Sequence, residues 1–449
     1  MKPEDKEKII TIVRKSGIVG AGGAGFPTYV KLKSSVEFLL INGAECEPLL
    51  MVDQFLMEIY PDELTSAARV VCDVVGARKA IFCLKAKYTK AQQSLLKAIG
   101  KQNAGSIELL EDRYPVGDEH VLVYEVLKRI VPAGGIPLAV KALVINVETL
   151  FNIYRAVTGK LPVTHSYVTV VGDIKEPFTL AVPLGVPIRD VITYAGDRVS
   201  AENHVVLEGG PLMGRLVQNW NAPITKTTKG LIVLKKTDVL AACYTGAPRQ
   251  IQPNIAAICC ECRQCTEICP RFLLGHSIEP HKLIVARAQQ IKYDDPLYQS
   301  AQYCSECGLC ELYACFMGLS PRKVNAEIRQ ELARRNIKAQ NNKRMKSPHP
   351  LRSERRIPTA RIKARLGISK YDKKSRFITN PEWKTREYTL LLRQHIGIPC
   401  SPLVSPGDHV TKGQVIADVT PDALGVPVHT PVDGIVHTVD NDKIRICIP

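Results

Sequence analysis

The chain has 449 residues, which is too long for one compact core and predicts about three or four domains. Its formal net charge is +16, but fourteen of these charges fall between Arg334 and Arg376, so the rest of the chain is nearly neutral. The N-terminus does not resemble a signal peptide and no apolar run has membrane-spanning length, so we expect a cytoplasmic protein with reduced cysteines.

The N-terminal third predicts an α/β domain, which we place at residues 1–160. Short apolar strands alternate there with helical periods, and the strands are Phe38–Asn42, Ala80–Leu84 and Ala142–Asn146. The first helix carries an apolar stripe made of Ile9, Ile10, Ile12 and Val13. This stripe predicts a helix that packs within the domain, with an encapsulation helix as the alternative.

A glycine-rich loop at Gly20–Thr28 places four glycines within six residues. Glycine lets backbone N–H groups approach a phosphate closely, because it has no side chain and tolerates unusual dihedral angles. The loop does not match the dinucleotide fingerprint G-x-G-x-x-G. The residues alone therefore leave two interpretations open: a loop that cradles an anion such as a nucleotide, or a turn with no ligand.

The next region, residues 161–245, predicts a small β-grasp module of the SLBB type. Its signals are a strand at Tyr167–Gly172 and a turn that enters a helix within residues 183–192.

Two tandem cysteine motifs follow, and their spacing is typical of iron–sulfur proteins. They are Cys259-x2-Cys262-x2-Cys265-x3-Cys269-Pro270 and Cys304-x2-Cys307-x2-Cys310-x4-Cys315. In two-cluster ferredoxins the fourth cysteine of each motif binds the cluster of the other motif. We therefore assign one 4Fe-4S cluster to Cys259, Cys262, Cys265 and Cys315, and the other to Cys304, Cys307, Cys310 and Cys269. Zinc sites and disulfides are the alternatives, but neither uses this spacing.

We place a helical two-cluster ferredoxin domain at residues 250–335, and we expect it to end with the amphipathic helix Pro321–Arg334. Cys260 breaks the spacing and is not assigned to a cluster.

Residues 336–383 are predicted to be a solvated basic linker that could carry one short helix. The stretch from Arg334 to Arg376 holds sixteen Lys and Arg residues against Glu354 and Asp372. It also contains three prolines and the polar run Gln340–Asn342. Docking to an acidic partner protein is the alternative, and nucleic acid ranks last because no aromatic platform accompanies the charge.

The C-terminal residues 384–449 predict a flattened barrel of short strands, like the biotinyl or lipoyl carrier fold. Carriers present a modified lysine on a hairpin tip, whereas the turn at residues 422–427 has none. We therefore interpret this barrel-sandwich domain as a packing or docking domain.

The glycine loop and three further motifs, Asn42–Pro48, Tyr114–Glu119 and Asn146–Leu150, resemble the flavin- and NADH-binding subunit of respiratory complex I in order and spacing. The C subunits of Rnf complexes are similar too, but their barrel-type domain looks N-terminal. The order seen here resembles the cobalamin reductase family of propanediol-utilisation microcompartments over its full length. The resemblance implies a multidomain α/β plus α+β protein whose first domain is a Rossmann-like FMN/NADH-binding domain.

The resemblance also implies cofactor contacts at matching positions. FMN would contact Gly20, Gly22, Lys31, Asn42, Glu45, Tyr114, Gly117, Asp118, Asn146 and Thr149. NADH would lie near Gly23, Ala24, Gly25, Phe26, Glu47 and Glu119. The chain departs from the complex I pattern at Ala21, Cys46 and Ile145, where complex I has arginine, serine and asparagine. From the residues alone, Glu45 and Glu47 could be helix-start acids and Phe26 could be ordinary core.

The function that the resemblance implies is an NADH-dependent oxidoreductase that reduces the cobalt of a corrinoid. Hydride carries two electrons and a 4Fe-4S cluster accepts one, so a flavin is needed between them. No catalytic general base is expected. The chain lacks a corrinoid base-off signature, and we expect its histidines to be surface or structural residues: His276, His281, His395, His429 and His437.

The implied partners are an adenosyltransferase or another redox protein, and shell proteins of a microcompartment. Two alternatives remain. The chain could be an Rnf-type component of a ferredoxin:NAD oxidoreductase, or a non-enzymatic electron-transfer module.

Overall fold

The computed structural model describes residues 1–102, 104–196, 198–246, 258–289, 292–339 and 347–449. The polar run Gln340–Asn342 and the expected start of the cysteine-rich domain at 250–257 lie outside these ranges. Within the described ranges, no helix combines the length and the apolar character that crossing a bilayer requires.

The N-terminal region is built on a parallel four-stranded sheet with the strand order β3-β2-β1-β5. Leu40 in β1 lies between Ile81 in β2 and Val144 in β5. These strands are apolar over most of their length because helices and other elements cover the sheet. The three predicted strands are confirmed. The strands of this region are β1 Phe38–Gly43, β2 Lys79–Lys85, β3 Ser106–Leu110, β4 Arg113–Tyr114 and β5 Ala142–Asn146.

Helices connect these strands and form a core with the sheet. Ile10 and Val13 of the first helix are buried in this core, which confirms the packing interpretation of the stripe. The helices are Pro3–Lys15, Thr28–Leu32, Val52–Ile59, Pro61–Val75, Thr89–Gln102, Glu119–Leu127, the 3₁₀ turn Pro137–Val140, and Val147–Gly159.

The second region is a mixed sheet folded around a separate core that includes Val170, Phe178, Ile192 and Leu231. Its two central strands, β6 and β10, run parallel, while β7 and β8 pair antiparallel at their outer sides. The expected turn and helix are present at Ile188–Ile192. The strands are β6 His165–Gly172, β7 Phe178–Pro183, β8 His204–Glu208, β9 Arg215–Leu216 and β10 Gly230–Lys235.

The cysteine-rich region consists of short helices, as expected, and it ends with the predicted helix Pro321–Arg334. Its core contains Ile278, Leu283, Tyr298 and Ile328. Proline opens several of these helices, where its missing N–H costs nothing. The helices are Gln264–Glu267, Pro270–Leu273, Pro280–Ala288, Pro296–Gln299, Ser300–Tyr303, Leu309–Ala314 and Pro321–Arg334, and the helix Val239–Thr245 at the end of the second region precedes them.

The basic segment corrects one of our predictions, because its described part is folded rather than a solvated linker. It contains the helices Arg352–Arg355 and Thr359–Arg365, the turn Ser369–Tyr371, and the strands β11 Ile357–Pro358 and β12 Arg376–Ile378. β11 pairs with β4, and β12 adds to β7, which completes a six-stranded sheet in the order β12-β7-β6-β10-β8-β9.

The basic segment folds because apolar residues are scattered among its basic ones. The buried side chains are Ile357, Ile362, Leu366, Ile368 and Tyr371. Several cations pair with acids of other regions. Arg352 bonds Glu125 at 2.6 Å, and Lys370 bonds Asp238 at 2.5 Å. A count of charges could not reveal this packing.

The C-terminal region forms two small sheets, with the strand orders β13-β19-β18-β15 and β14-β16-β17. Its apolar residues Ile416, Val428 and Ile444 belong to the same core as the N-terminal helices. The barrel therefore packs onto the N-terminal domain. Its strands are β13 Glu387–Leu391, β14 Ser401–Pro402, β15 His409–Val410, β16 Val415–Asp418, β17 Val428–His429, β18 Gly434–Val439 and β19 Lys443–Cys447.

Candidate cofactor sites at the domain junction

The glycine loop folds back on itself and lies against the carboxyl end of β5. The Gly20 N–H donates to the Phe26 carbonyl at 2.8 Å. The Ala21 N–H donates to Thr149 Oγ1 at 2.9 Å, and a Cβ on Gly22 would lie 2.8 Å from Asn146 Nδ2. The loop therefore meets the Asn146–Leu150 motif directly, and a side chain at position 22 would require the Asn146 side chain to move.

The tip of the loop is open to solvent. Gly22, Gly23 and Ala24 are exposed, and a Cβ on Gly23 would meet no atom within 4 Å. Gly23 has a φ of +99°, which glycine adopts without the penalty of other residues. Backbone groups at this tip can therefore approach a ligand without a side chain in the way.

The second and third motifs meet beside the loop at the end of β1. Asn42 Nδ2 donates to the Gly117 carbonyl at 2.9 Å. A Cβ on Gly117 would lie 3.2 Å from the Cβ of Cys46, so these backbones are in close contact. Open α/β sheets bind ligands at the carboxyl ends of their strands. All four motifs converge at that edge, although they are far apart in sequence.

Several of the expected cofactor side chains make contacts within the protein. Lys31 Nζ donates to Glu119 Oε1 at 2.9 Å and to the Val144 carbonyl at 3.2 Å. Glu45 has a φ of +40°, and its carboxylate accepts the N–H of Val52 at 2.7 Å. Glu45 therefore caps the helix Val52–Ile59, as its helix-start interpretation anticipates.

The open loop tip and its neighbours fit the phosphate end of a flavin mononucleotide. Backbone N–H groups in glycine-rich turns near a helix N-terminus are a common anion site. Here the helix Val147–Gly159 begins directly beside the loop, with Asn146 at its N-cap position. The chemistry of this edge is therefore suited to the cofactor that the four motifs imply.

A buried charged cluster lies behind these motifs, and the sequence analysis missed it. Lys229 Nζ lies 2.8 Å from Asp53 Oδ1 and 3.5 Å from Glu148 Oε2. Burial raises the pKa values of Glu45 and Glu148 to about 7, with the charge of Asp53 contributing to both. The cluster ties the six-stranded sheet to the flavin motifs. Glu148 lies within the fourth motif, which is the signal that could have identified it.

We expect the Glu148→Gln variant to gain stability relative to wild type as the pH rises. The folded pKa of Glu148, about 7, is above its unfolded value, so the native state binds the proton more tightly. The carboxyl's contribution is then fully present below its unfolded pKa and is lost as the pH rises towards about 7. Thermal unfolding of both proteins from about pH 5 to about pH 8 measures this difference. A difference that stays constant with pH would contradict it.

The two cysteine motifs adopt the same backbone conformation. Glu261 and Glu306 have φ values of +50° and +57°, and Arg263 and Gly308 have φ values of +64° and +79°. Left-handed conformations are unfavourable for residues other than glycine, and they concentrate at functional sites. In the second motif the Glu306 N–H donates to Cys304 Sγ at 3.3 Å. The repeated conformation curls each motif around its cysteines.

The cysteines fall into two groups, each drawn from both motifs. Burial raises the pKa of Cys265 to about 12, and the thiolates of Cys315, Cys259 and Cys262 contribute to this rise. A cavity is lined by these four cysteines and by Cys260. The first motif therefore receives Cys315 from the second.

Cys269 joins the second motif in the same way. Burial raises the pKa of Cys307, and the charges of Cys269 and Cys304 add to the effect. The pKa of Cys310 is raised by burial and then by Cys304, Cys307 and Cys269, with a smaller contribution from Cys265 of the first group. Buried thiolates repel one another, so they need a cationic centre to remain ionised together. Four thiols in each group are the donor set that a 4Fe-4S cluster requires.

The second group lies directly against the flavin motifs. Tyr114 Oη lies 2.9 Å from Glu47 Oε1 and 2.7 Å from the Cys307 carbonyl oxygen. Burial raises the pKa of Tyr114 well above its usual value, so its hydroxyl keeps its proton. Glu47 also accepts the Leu212 N–H at 2.8 Å, so it is not a helix-start acid. Tyr114 and Glu47 thus connect the flavin edge to the cysteines.

An ion pair between the buried Arg271 and the partly buried Asp118 forms the second connection. Arg271 donates to both oxygens of Asp118, at 2.6 and 3.0 Å. The Asp118 carboxylate also accepts the N–H groups of His120 and Val121, so it caps the helix Glu119–Leu127. The Asp118 carboxylate therefore accepts its hydrogen bonds from groups within the protein. Arg271 was not predicted, although its position two residues after Cys269 was a usable signal.

Of the five histidines named above, three make hydrogen bonds within the protein. His276 Nε2 lies 3.0 Å from the Val131 carbonyl, and His281 Nδ1 lies 2.8 Å from Thr266 Oγ1. His395 Nε2 accepts the Val426 N–H at 3.3 Å. His429 is buried and His437 is exposed.

Three family models match separate parts of the chain. Residues 13–155 match the Nuo51 FMN-binding domain, residues 258–320 match a 4Fe-4S dicluster domain, and residues 365–446 match the RnfC barrel sandwich hybrid domain. The chain is therefore a mixed α/β multidomain protein with FMN-binding, 4Fe-4S dicluster and barrel-sandwich domains.

Curated relatives extend over nearly the full length. The cobalamin reductase PduS of Citrobacter freundii is 38% identical over 443 residues, which cover 98% of this chain and 97% of that protein. The protein of the same name from Salmonella typhimurium is 38% identical over 437 residues, covering 97% and 95%. The C subunit of the Na(+)-translocating ferredoxin:NAD(+) oxidoreductase complex of Acetobacterium woodii is 33% identical over 274 residues, covering 60% and 59%. At the identity and coverage of the first two relatives, the chain belongs to the PduS family of cobalamin reductases.

Proposed function

We propose that this chain is an NADH-dependent cobalamin reductase, which supplies electrons to the cobalt of a corrinoid. FMN, when bound, converts the two-electron hydride of NADH into the single electrons that 4Fe-4S clusters accept. The observation that carries the proposal is the contact between the flavin edge and the second cysteine group. Tyr114 Oη lies within hydrogen-bond distance of both Glu47 and the Cys307 carbonyl oxygen.

The cysteines are proposed as cluster ligands in two sets of four. One set is Cys259, Cys262, Cys265 and Cys315, and the other is Cys304, Cys307, Cys310 and Cys269. The mutual electrostatic effects of these thiolates support the division, since each set combines cysteines of both motifs.

The second set lies next to the flavin edge, so we place it first in the electron path. The first set includes the exposed Cys262 and is flanked by the exposed side chains of Phe316 and Met317. Electrons therefore leave the protein from the first set, where an acceptor can approach.

The flavin site is proposed at the edge formed by the four motifs. The FMN residues are Gly20, Gly22, Lys31, Asn42, Glu45, Tyr114, Gly117, Asp118, Asn146 and Thr149. Those that approach NADH are Gly23, Ala24, Gly25, Phe26, Glu47 and Glu119. Because Lys31, Glu45 and Asp118 already bond within the protein, we assign them the role of holding the motif backbones in place. No residue is required as a general base.

We also propose the finer fold assignments. The first region, residues 1–160, is taken as a Rossmann-like domain, and its parallel sheet supports this. Residues 161–245 are taken as an SLBB-type β-grasp module, residues 250–335 as the two-cluster ferredoxin and residues 384–449 as the barrel. The proposed partners are an adenosyltransferase and microcompartment shell proteins, by analogy with the family.

Anaerobic spectroscopy of the reconstituted protein tests this function. We expect about eight irons per chain, a flavin spectrum that NADH bleaches, and NADH-dependent reduction of hydroxocobalamin. If NADH bleaches the flavin while cobalamin stays oxidised and a ferredoxin is reduced, an Rnf-type role is supported instead. The similarity to the Acetobacterium woodii protein makes that the second candidate. A preparation that binds no flavin would leave only an electron-transfer module.

A further inference from the structure

The ion pair between Arg271 and Asp118 joins the two halves of the proposed electron path. Arg271 is 8% exposed, and its guanidinium contacts Asp118 through two parallel hydrogen bonds of 2.6 and 3.0 Å. Asp118 belongs to the third flavin motif, while Arg271 lies two residues after Cys269. Bidentate pairs of this kind fix orientation as well as charge.

Two neutral histidines flank the pair. His120 and His276 face each other with ring centroids 5.4 Å apart. Burial, and then the charge of Arg271, lower the pKa values of His120 and His276 to about 3 and about 4. Both imidazoles are uncharged at neutral pH, so Asp118 supplies the negative charge that balances Arg271.

Both members of the pair lie beside cysteines of the second group. Arg271 is in the short helix Pro270–Leu273, and Cys269 is the N-cap residue of that helix. Asp118 lies four residues after Tyr114, whose hydroxyl is 2.7 Å from the Cys307 carbonyl oxygen. The positive and the negative member of the pair are therefore both close to this group of cysteines.

We propose that the Arg271–Asp118 pair is a positioning element that sets the reduction potential of the cluster held by Cys269, Cys304, Cys307 and Cys310. Reduction adds one electron to the cluster, and no bond forms or breaks. A nearby positive charge stabilises the reduced form and a negative charge destabilises it, and the effect is strong where water is excluded. Because their charges offset each other, the two residues keep the midpoint potential between the value that the positive charge alone would give and the value that the negative charge alone would give. The inference rests on the proposed function only in that these cysteines hold a cluster.

The two single substitutions should shift the potential in opposite directions. Arg271→Gln leaves the Asp118 anion unbalanced, so the midpoint potential should fall. Asp118→Asn leaves the guanidinium unbalanced, so the potential should rise. The double variant Arg271→Gln with Asp118→Asn should return close to the wild-type value. The measurement is a dithionite titration followed by electron paramagnetic resonance, in a Cys315→Ser background that retains only this cluster.

A purely structural role predicts a different result, namely shifts in the same direction, no shifts, or equal iron loss in both single variants. Any of these would overturn the proposal. Arg271→Lys keeps the charge with fewer hydrogen bonds and should stay near the wild-type potential. If Arg271→Gln loses its cluster, the proposal is tested by comparing Arg271→Lys with Asp118→Asn. Only Asp118→Asn should raise the midpoint potential.

A matched control is the pair between Arg352 and Glu125, which lies on the helix that Asp118 caps. The two side chains bond at 2.6 Å, and their side-chain exposures of 11% and 14% are close to the side-chain exposures of 10% and 14% in the Arg271 pair. Arg352→Gln therefore removes an equally buried interdomain charge and should not move the potential. The titration uses neither NADH nor cobalamin. Opposite shifts without cobalamin reduction would support this inference while the proposed function fails.

Discussion

Cys269→Ser and Cys315→Ser should each remove one cluster and leave the other intact, so that iron falls from about eight to about four atoms per chain. Each of these cysteines closes a group begun by the other motif. The thiolate of Cys315 acts on Cys265, while that of Cys269 acts on Cys307 and Cys310. Serine keeps the size of cysteine but is a poor ligand for iron. The measurement is iron content together with the number of paramagnetic resonance signals after reduction.

The two variants should differ in their response to NADH. Cys315→Ser keeps the cluster that adjoins Tyr114, so NADH should still reduce that cluster rapidly. Cys269→Ser keeps only the cluster farther from the flavin edge, so its reduction by NADH should be slow while dithionite still reduces it. Equal rates in the two variants would contradict the order of clusters that we propose.

Cys260→Ser is the matched control for both variants. Cys260 lies beside Cys259 and is exposed, but it breaks the motif spacing. We expect this variant to keep the full iron content. A loss of iron would show that Cys260 replaces one of the assigned ligands.

Local patterns in the sequence predicted much of this fold. Continuous apolar runs identified the parallel strands, and the helical period identified the helix Pro321–Arg334 at its observed ends. The four flavin motifs also predicted which segments would meet, whereas the ligand sets assigned from the cysteine spacing stay a prediction. These features depend on neighbours within a few residues, or on motifs whose chemistry is fixed by spacing.

Contacts between distant residues could not be predicted in the same way. Arg271 and Asp118 are 153 positions apart, and Lys229 and Asp53 are 176 apart. The basic segment was misjudged because its charges outnumber the buried isoleucines that fold it. In each case tertiary packing decides which polar side chain is buried, and a single sequence carries no signal for that pairing.

The glycine loop is also held in place by residues that are distant from it in the sequence. The Ile396 N–H of the barrel domain donates to the Gly25 carbonyl at 3.0 Å. Behind the loop, the buried Lys226 donates to the carbonyl oxygens of Gly17 and Pro427, at 2.8 and 2.7 Å. The barrel thus contacts the loop from behind, so we expect this domain to support the proposed nucleotide site, a role that the carrier fold did not suggest.

Gly25→Val should therefore abolish most NADH oxidation while leaving the iron content unchanged. Gly25 has a φ of +65°, and a Cβ there would lie 3.0 Å from Thr227 Cγ2 and 3.4 Å from the His395 Cα. A β-branched residue cannot adopt this conformation without strain, so the loop must shift. A displacement of about 1 Å at a reacting site can reduce rates roughly 100-fold. The measurement is NADH oxidation with ferricyanide, alongside flavin and iron content.

The Gly407→Val variant distinguishes the effect of backbone strain from the effect of displacing the glycine loop. Gly407 has a φ of +93° in the same barrel domain, but a Cβ there meets no atom within 4 Å. This variant carries a similar backbone penalty away from the loop, so it should oxidise NADH at the wild-type rate. If Gly25→Val and Gly407→Val lose activity equally, or if Gly25→Val also loses its iron, the loop is a structural element rather than part of a nucleotide site.

A double variant tests the contact itself. In Gly25→Ala the new methyl group should press against Thr227 Cγ2, and Thr227→Ser removes that carbon. The double variant should therefore recover part of the NADH oxidation activity that Gly25→Ala loses, because the clash is relieved while the strain of the left-handed backbone remains. If Thr227→Ser gives no recovery, backbone strain alone accounts for the loss. Partial recovery would show that the space behind Gly25, closed by the barrel and the six-stranded sheet, sets the position of the loop.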